Sequence, residues 1–271
     1  MLKTGFTETA HGKLAWVDTG GEGPVVLFIH GNSSCKEVFG RQLVSELGLS
    51  YRMIAFDLPG HGASSNAPDP ALTYSIHGFA DAAIALLDAL RIDRAVIVGW
   101  SLGGHAALEM MVRWPGTVAA WITGTPPAGA ADMGEAFLPS LQDLTFKESF
   151  TPEEARRHAQ HGMGENVELL PWMVEAAVRA DGRFRSLMLQ SAIAGLDLDG
   201  RDIAETATQP LAVVSGEKEP FVNNAFLKTL AYSNLWDRKV HILEGLAHMP
   251  FWEDASRVNP LLGRFLDDVT G

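Results

Sequence analysis

Two hydrophobic rhythms alternate along the chain. Short runs that are apolar at almost every position predict strands buried on both faces, and longer stretches with apolar residues every three to four positions predict amphipathic helices. Residues 24–29 (Pro-Val-Val-Leu-Phe-Ile), 52–56 (Arg-Met-Ile-Ala-Phe), 94–99, 118–123, 210–215 and 239–243 have the first rhythm. Residues 37–48, 75–91, 102–113, 221–232 and 255–268 have the second. In 75–91, Ile76, Phe79, Ala83, Leu86, Leu87 and Leu90 share one helix face. Residues 5–18 alternate weakly about Gly12 and predict an antiparallel hairpin.

Strand and helix in turn predict an α/β fold, a mostly parallel sheet with helices on both faces. The rhythm breaks between 127 and 208. Strand patterns are absent there, and helical stretches fall near 135–145, 151–161, 166–180 and 183–195. The expected organisation is a core of residues 1–126 and 209–271, with 127–208 inserted as a helical cap over the carboxyl ends of the strands.

Composition narrows the function. With 46% apolar and 20% charged residues over 271 positions, the chain reads as an ordinary globular protein. A net charge of −12 argues against a nucleic-acid partner and against an anionic membrane surface. Cys35 is the single cysteine, so no internal disulfide and no cysteine-rich metal cluster can form. The first residues lack the apolar segment of a signal peptide, and no apolar run approaches the roughly 20 residues of a membrane span, so the expected compartment is the cytoplasm.

Four segments carry chemistry. Gly99-Trp100-Ser101-Leu102-Gly103-Gly104 matches G-x-S-x-G and lies between a buried strand and an amphipathic helix, the setting that motif requires. Its glycines let strand and helix close on a sharp turn that lifts the Ser101 hydroxyl toward the positive end of the helix dipole. His30-Gly31-Asn32-Ser33-Ser34 follows the strand 24–29. An oxyanion hole needs two backbone donors aimed at one point, and the amides of Asn32 and Leu102 are the expected pair. His30 is read as a loop-holding residue. So are Asp57 and His61 of Asp57-Leu58-Pro59-Gly60-His61-Gly62-Ala63-Ser64, a tight turn after the strand 52–56.

The fourth is a pair of late loops, Gly216-Glu217-Lys218-Glu219-Pro220 and Gly245-Leu246-Ala247-His248-Met249-Pro250. A serine hydroxyl needs a base, and the base is commonly a histidine oriented by a carboxylate. His248 is the candidate base. Glu217 and Glu219 both offer a carboxylate, and either preserves the chain order nucleophile, acid, histidine.

Together these segments resemble the α/β-hydrolase superfamily over essentially the whole core. The resemblance favours Glu219 as the acid, because that family places its acid a few residues past the glycine corresponding to Gly216. Ser101 stands where the dehalogenase and epoxide-hydrolase branches carry aspartate, which argues for acyl transfer. A narrower likeness links His30–Ser34, Asp57–Gly62, Gly99–His105, Ile122–Pro127 and Glu219–Val222 to the α/β-hydrolase-type N-acyl-homoserine lactonases. The resemblance implies a metal-independent opening of the lactone ring of quorum-sensing signals. It further implies that Trp100, His158, Phe221 and Met249 face the substrate, although His158 and His161 stand where a tyrosine contact is expected. Met133, Phe137, Leu138, Phe146, Met163, Leu169, Trp172, Met173 and Met188 are candidate pocket walls for an acyl chain. The nine histidines lack metal-ligand spacing, and no dinucleotide or P-loop glycine pattern occurs, so neither metal nor cofactor is expected.

Overall fold

The apolar runs become the centre of one eight-stranded sheet in the computed structural model, which describes residues 2–139, 142–164 and 167–271. The strands are β1 (Lys3–Thr9), β2 (Gly12–Asp18), β3 (Val25–Ile29), β4 (Arg52–Phe56), β5 (Ala95–Trp100), β6 (Thr117–Thr123), β7 (Leu211–Gly216) and β8 (His241–Leu243). Their order is β1-β2-β4-β3-β5-β6-β7-β8. β1 and β2 form the antiparallel hairpin, β2 meets β4 antiparallel, and every later pairing is parallel.

Each parallel strand feeds two cores. Leu27, Ile29, Ile54, Phe56, Ile97 and Ile122 point to one face of the sheet, and Val26, Phe28, Met53, Val96, Val98 and Trp121 to the other. Period-two alternation with both faces apolar is what made these runs continuous in sequence. The main helices are α1 (Ile76–Ala89), α2 (Leu102–Arg113), α3 (Pro152–His161), α4 (Pro171–Arg179), α5 (Arg183–Ile193), α6 (Gly200–Thr206) and α7 (Ala255–Thr270). α3 to α6 lie in the connection between β6 and β7. α1 starts where the Ser75 hydroxyl accepts the Gly78 amide at 2.9 Å. Among the described residues no helix is long and apolar enough to cross a membrane.

The structure departs from the sequence reading at several elements. The expected helix 37–48 is three short turns, Lys36–Phe39, Gly40–Leu43 and Leu47–Ser50. Ser45 interrupts it, donating to the Gln42 carbonyl at 2.7 Å and accepting the Leu47 amide at 3.3 Å. The expected helix 221–232 is helical only over Asn224–Leu227. Phe221 and Val222 are extended because Val222 bridges to Phe137 and the Leu138 amide donates to the Phe221 carbonyl at 2.7 Å. The last strand starts at His241, two residues late, after Asp237 and Arg238 with φ of +56° and +52°. The stretch expected at 135–145 contains the turns Met133–Ala136 and Gln142–Thr145, with 140–141 outside the described residues. The stretch expected at 166–180 is helical from Pro171, and residue 166 also lies outside them. α6 forms where the apolar spacing predicts no helix, its start fixed by the Asp199 carboxylate accepting the Arg201 and Asp202 amides.

Candidate active site

β5 ends at Trp100 and α2 begins at Leu102, so Ser101 alone makes the turn between them. It does so at φ +53° and ψ −118°, a backbone that residues with a side chain rarely adopt. Surrounding hydrogen bonds hold it there: the Ser101 amide donates to Thr123 O at 2.9 Å, and Ser101 O accepts from the Gly104 amide at 2.8 Å and Thr125 Oγ1 at 3.0 Å. Gly103 is required because a Cβ there would lie 2.0 Å from the Ile29 carbonyl oxygen, so α2 could not seat on β3. Leu102 is the first residue of α2, where an amide has no partner within its own helix.

The loop after β3 is fixed from below by two neutral imidazoles. His30 donates from Nδ1 to Gly31 O at 2.8 Å and accepts the Leu58 amide on Nε2 at 3.0 Å. His61 donates from Nδ1 to Pro59 O at 3.0 Å and accepts the Ser33 amide on Nε2 at 3.3 Å. Asp57 accepts the Lys36 and Ala63 amides at 2.7 and 2.8 Å and pairs with the Lys36 ammonium at 2.9 Å. These residues hold the turn that presents Asn32 beside Ser101.

Glu219 and His248 meet because the loops after β7 and β8 are laced together. The Glu217 amide donates to Leu243 O at 2.9 Å and the Lys218 amide to Leu246 O at 2.8 Å. The Glu219 carboxylate is thereby brought under the ring, with His248 Nδ1 at 2.8 and 2.9 Å from its two oxygens. The Phe221 amide donates to Glu219 Oε1 at 3.0 Å. Glu217 is exposed and accepts the Gly245 amide at 2.9 Å, away from the imidazole. His248 is further enclosed by Phe221, with ring centroids 4.7 Å apart, and by Trp100 at 5.5 Å, whose indole N–H donates to the His248 carbonyl at 2.9 Å. Glu253, which sequence reasoning missed, receives the Ala247 amide at 2.8 Å and the Met249 amide at 3.0 Å, gripping the loop on both sides of His248. The Gly162 carbonyl accepts the His248 amide at 3.2 Å.

Asn32, Trp100, Ser101, Leu102, His158, Phe221, His248 and Met249 all line one cavity of about 980 Å³. Glu219 stands behind His248, outside the lining. Of the expected apolar walls, Met133, Phe137, Leu138, Phe146, Trp172, Met173 and Met188 line it. Met163 and Leu169 do not: they join the core cluster of Phe251 and Trp252. The charged residues of the lining are Glu109, Asp197 and Asp199, all acidic, and neither lysine nor arginine contributes among the described residues. His105, one turn beyond Ser101 on α2, also lines it, and burial pushes its imidazole down to about 4. His158 is likewise lowered to about 4, by burial first and then by the Arg185 charge. Among the described residues no group of three or more His, Cys, Asp or Glu side chains is placed to hold a metal ion.

Seven of the nine histidines, His11, His30, His61, His105, His158, His161 and His241, are lowered, each chiefly by burial. A group whose folded value lies below its unfolded one stabilises above the unfolded value and loses that contribution as pH falls through the interval. His105 and His158, held at about 4, each cost up to about 1.4 kcal/mol per pH unit below roughly 6.5, and the other five act in the same direction. Glu109 and Glu253, raised by burial, work in the opposite direction but are fewer. Thermal melts should therefore show Tm falling steadily from pH 6.5 to 5. A flat Tm over that window would contradict the burial of these rings as neutral groups.

Comparison with known families matches residues 26–261 to the alpha/beta hydrolase family. Among solved structures, the N-acyl homoserine lactonase AidH complexed with N-butanoyl homoserine is 39% identical, covering 99% of this chain and 97% of that one, with a TM-score of 0.95. A mutant of AidH complexed with N-hexanoyl homoserine superposes with a TM-score of 0.96 at 38% identity, covering 100% and 98%. Among curated proteins, a 2-hydroxy-6-oxononadienedioate/2-hydroxy-6-oxononatrienedioate hydrolase of Pseudomonas sp is 26% identical over 92% of this chain and 90% of its own length.

Proposed function

The chain belongs to the alpha/beta hydrolase family, and on that footing we propose that it is a metal-independent serine hydrolase that opens the ring of N-acyl homoserine lactones through an acyl-enzyme on Ser101. The observation that carries this reading is the seating of His248 Nδ1 on the Glu219 carboxylate, in the wall of the cavity that Ser101 also lines. With Nδ1 so engaged, Nε2 is the nitrogen left to move a proton. As Ser101 Oγ bonds to the lactone carbonyl carbon, its proton passes to Nε2, and Glu219 stabilises the imidazolium. The amides of Asn32 and Leu102 receive the developing oxyanion. The ring C–O bond then breaks and His248 protonates the leaving alkoxide. That alkoxide stays tethered to the acyl group, so ring opening can reverse until His248 activates a water and N-acyl homoserine leaves.

The cavity lining supports the substrate class. Its apolar walls suit an acyl chain, and its charges, Glu109, Asp197 and Asp199, are of the wrong sign for a dicarboxylate. The Pseudomonas relative is named for a dioate, which would call for cationic partners. A neutral acyl lactone makes no such demand, and the 38–39% likeness to AidH points the same way. The segment 127–208 acts in this reading as a cap domain on the core of 1–126 and 209–271, supplying His158 and the acyl-chain walls.

The test is a panel of N-acyl homoserine lactones set against p-nitrophenyl esters of equal acyl length, with and without chelator. Lactones should lead in kcat/KM by at least about tenfold, equivalent to roughly 1.4 kcal/mol of differential transition-state binding, and chelator should change nothing. Preference for the aryl esters would replace lactonase by general carboxylesterase. Loss of activity with chelator would overturn the metal-independent mechanism.

A further inference from the structure

Among the described residues, Arg185 is a buried cation with no carboxylate in direct contact. It sits in α5, is 1% exposed, and forms no ion pair among the described residues. Burial lowers it to about 10 against the opposing pull of the Asp181 charge, so it remains protonated at neutral pH. A buried guanidinium without a contact ion pair is costly, and its retention calls for a use of its donors. They divide between two places. Nη1 donates to Lys147 O at 3.0 Å and Glu148 O at 3.1 Å, within the inserted segment. Nε and Nη2 both donate to one atom, Ser33 Oγ, at 3.1 and 2.6 Å. The guanidinium also stacks 4.0 Å from the Phe150 ring centroid, which sets its plane.

Ser33 passes this constraint on. With both Arg185 donors on its oxygen, the hydroxyl turns its own proton to Asn32 Oδ1 at 2.5 Å. That contact sets the orientation of the Asn32 side-chain carboxamide, whose Nδ2 donates to Thr145 O at 3.3 Å, and so ties down the residue that carries the backbone amide. The turn carrying these residues is conformationally expensive, with Ser33 at φ +56°. The core fixes it from one side through His61 and the Ser33 amide. Arg185 and Thr145, both between β6 and β7, fix it from the other.

We propose that Arg185 is a positioning residue for the oxyanion hole, holding Asn32 through Ser33 so that the Asn32 amide is already aimed when charge develops on the substrate oxygen. This rests on the assignment of Asn32 to that hole. Arg185 does not touch substrate, since it is outside the cavity lining. It couples the seating of the inserted segment to the competence of the catalytic loop. Loss of one oxyanion donor typically slows turnover by about 10²–10³, and displacement of a catalytic group by about 1 Å by up to roughly 10².

The experiment compares wild type with Arg185→Met and Arg185→Lys by two readouts. Kinetics on N-hexanoyl homoserine lactone should give kcat about 10- to 100-fold lower in Arg185→Met, with KM within about threefold, because the donor acts in the transition state. Phosphonylation of Ser101 by a fluorophosphonate should slow in parallel, since its phosphoryl oxygen uses the same hole. Arg185→Lys keeps the charge but cannot bridge Ser33 to two carbonyls, so most of the loss should persist; it carries the comparison if the methionine variant is unstable. Independently of turnover, amide hydrogen exchange in residues 31–35 should accelerate in both variants, with β3 and β5 unchanged. Unchanged exchange in 31–35, or a raised KM with kcat intact, would overturn the proposal. If wild-type Ser101 is not phosphonylated at all, the serine-hydrolase reading falls, while the exchange measurement still decides whether Arg185 holds the loop.

Discussion

Ser101→Ala should fold like the wild type and turn over ester and lactone substrates on the order of 10⁴–10⁶ more slowly. The unusual backbone at this position is held by main-chain contacts, the Ser101 amide on Thr123 O and the Ser101 carbonyl under Gly104 and Thr125, and alanine keeps all of them. It also keeps the Cβ, so the strain at φ +53° is unchanged. Only Oγ is lost, and with it the covalent intermediate. The expected drop corresponds to about 5–8 kcal/mol of transition-state stabilisation, far above what displacement of a cavity-lining hydroxyl could cost in binding. The amides of Asn32 and Leu102 should leave a residual rate above that in water. Thermal melts alongside steady-state kinetics on hexanoyl homoserine lactone check both halves. A variant within tenfold of wild type would remove Ser101 from the reaction.

Signals that are local in sequence were legible, and contacts made across the chain were not. Val26 to Ile29 and Val96 to Val98 are apolar at every position because both faces of their strands are covered, and that reads directly from the residues. Gly103 marked the elbow because a close approach of α2 to Ile29 tolerates nothing larger. Chain order made a carboxylate before His248 legible but left Glu217 and Glu219 open, and only the family resemblance favoured Glu219, the residue the structure seats on His248 Nδ1. Arg185 was not legible: its partner Ser33 lies 152 positions away, and within α5 it follows Phe184 and looks like any helical arginine. Residues 221–232 misread as helix because their apolar spacing is sound, and the bridge to Phe137 that keeps Phe221 and Val222 extended comes from the inserted segment. His158 and His161 both stand where a tyrosine contact is expected, and their spacing does not separate them. The structure gives them different neighbours, Phe150 at 5.2 Å for the first and Phe221 at 5.1 Å for the second, and only His158 lines the cavity.

Glu219→Gln should lower kcat by on the order of 10²–10⁴, and Glu217→Gln by less than about twofold. Both are acidic, two positions apart on one loop, so charge near the site is a shared property and cannot separate them. Geometry does. Glu219 is buried with both oxygens within 2.9 Å of His248 Nδ1, whereas Glu217 is exposed and caps the Gly245 amide. In Glu219→Gln the Phe221 amide still calls for an oxygen at the Oε1 position, which places the NH₂ group where Oε2 stood, so Nδ1–H keeps one neutral acceptor and gains a crowding donor 2.9 Å away. The neutral amide also cannot stabilise the imidazolium that forms as Ser101 attacks. KM should change little, because the side chain stands behind His248 and does not line the cavity. Glu219→Asp refines the point. The loops are laced at Glu217 and Lys218, so the backbone cannot advance to restore a carboxylate withdrawn by one methylene. Activity in that variant should therefore fall well below wild type even though the charge is kept. If Glu217→Gln were the inactive variant and Glu219→Gln the active one, the acid would have to reach His248 from the other side of this loop, and the observed pairing would have no catalytic part.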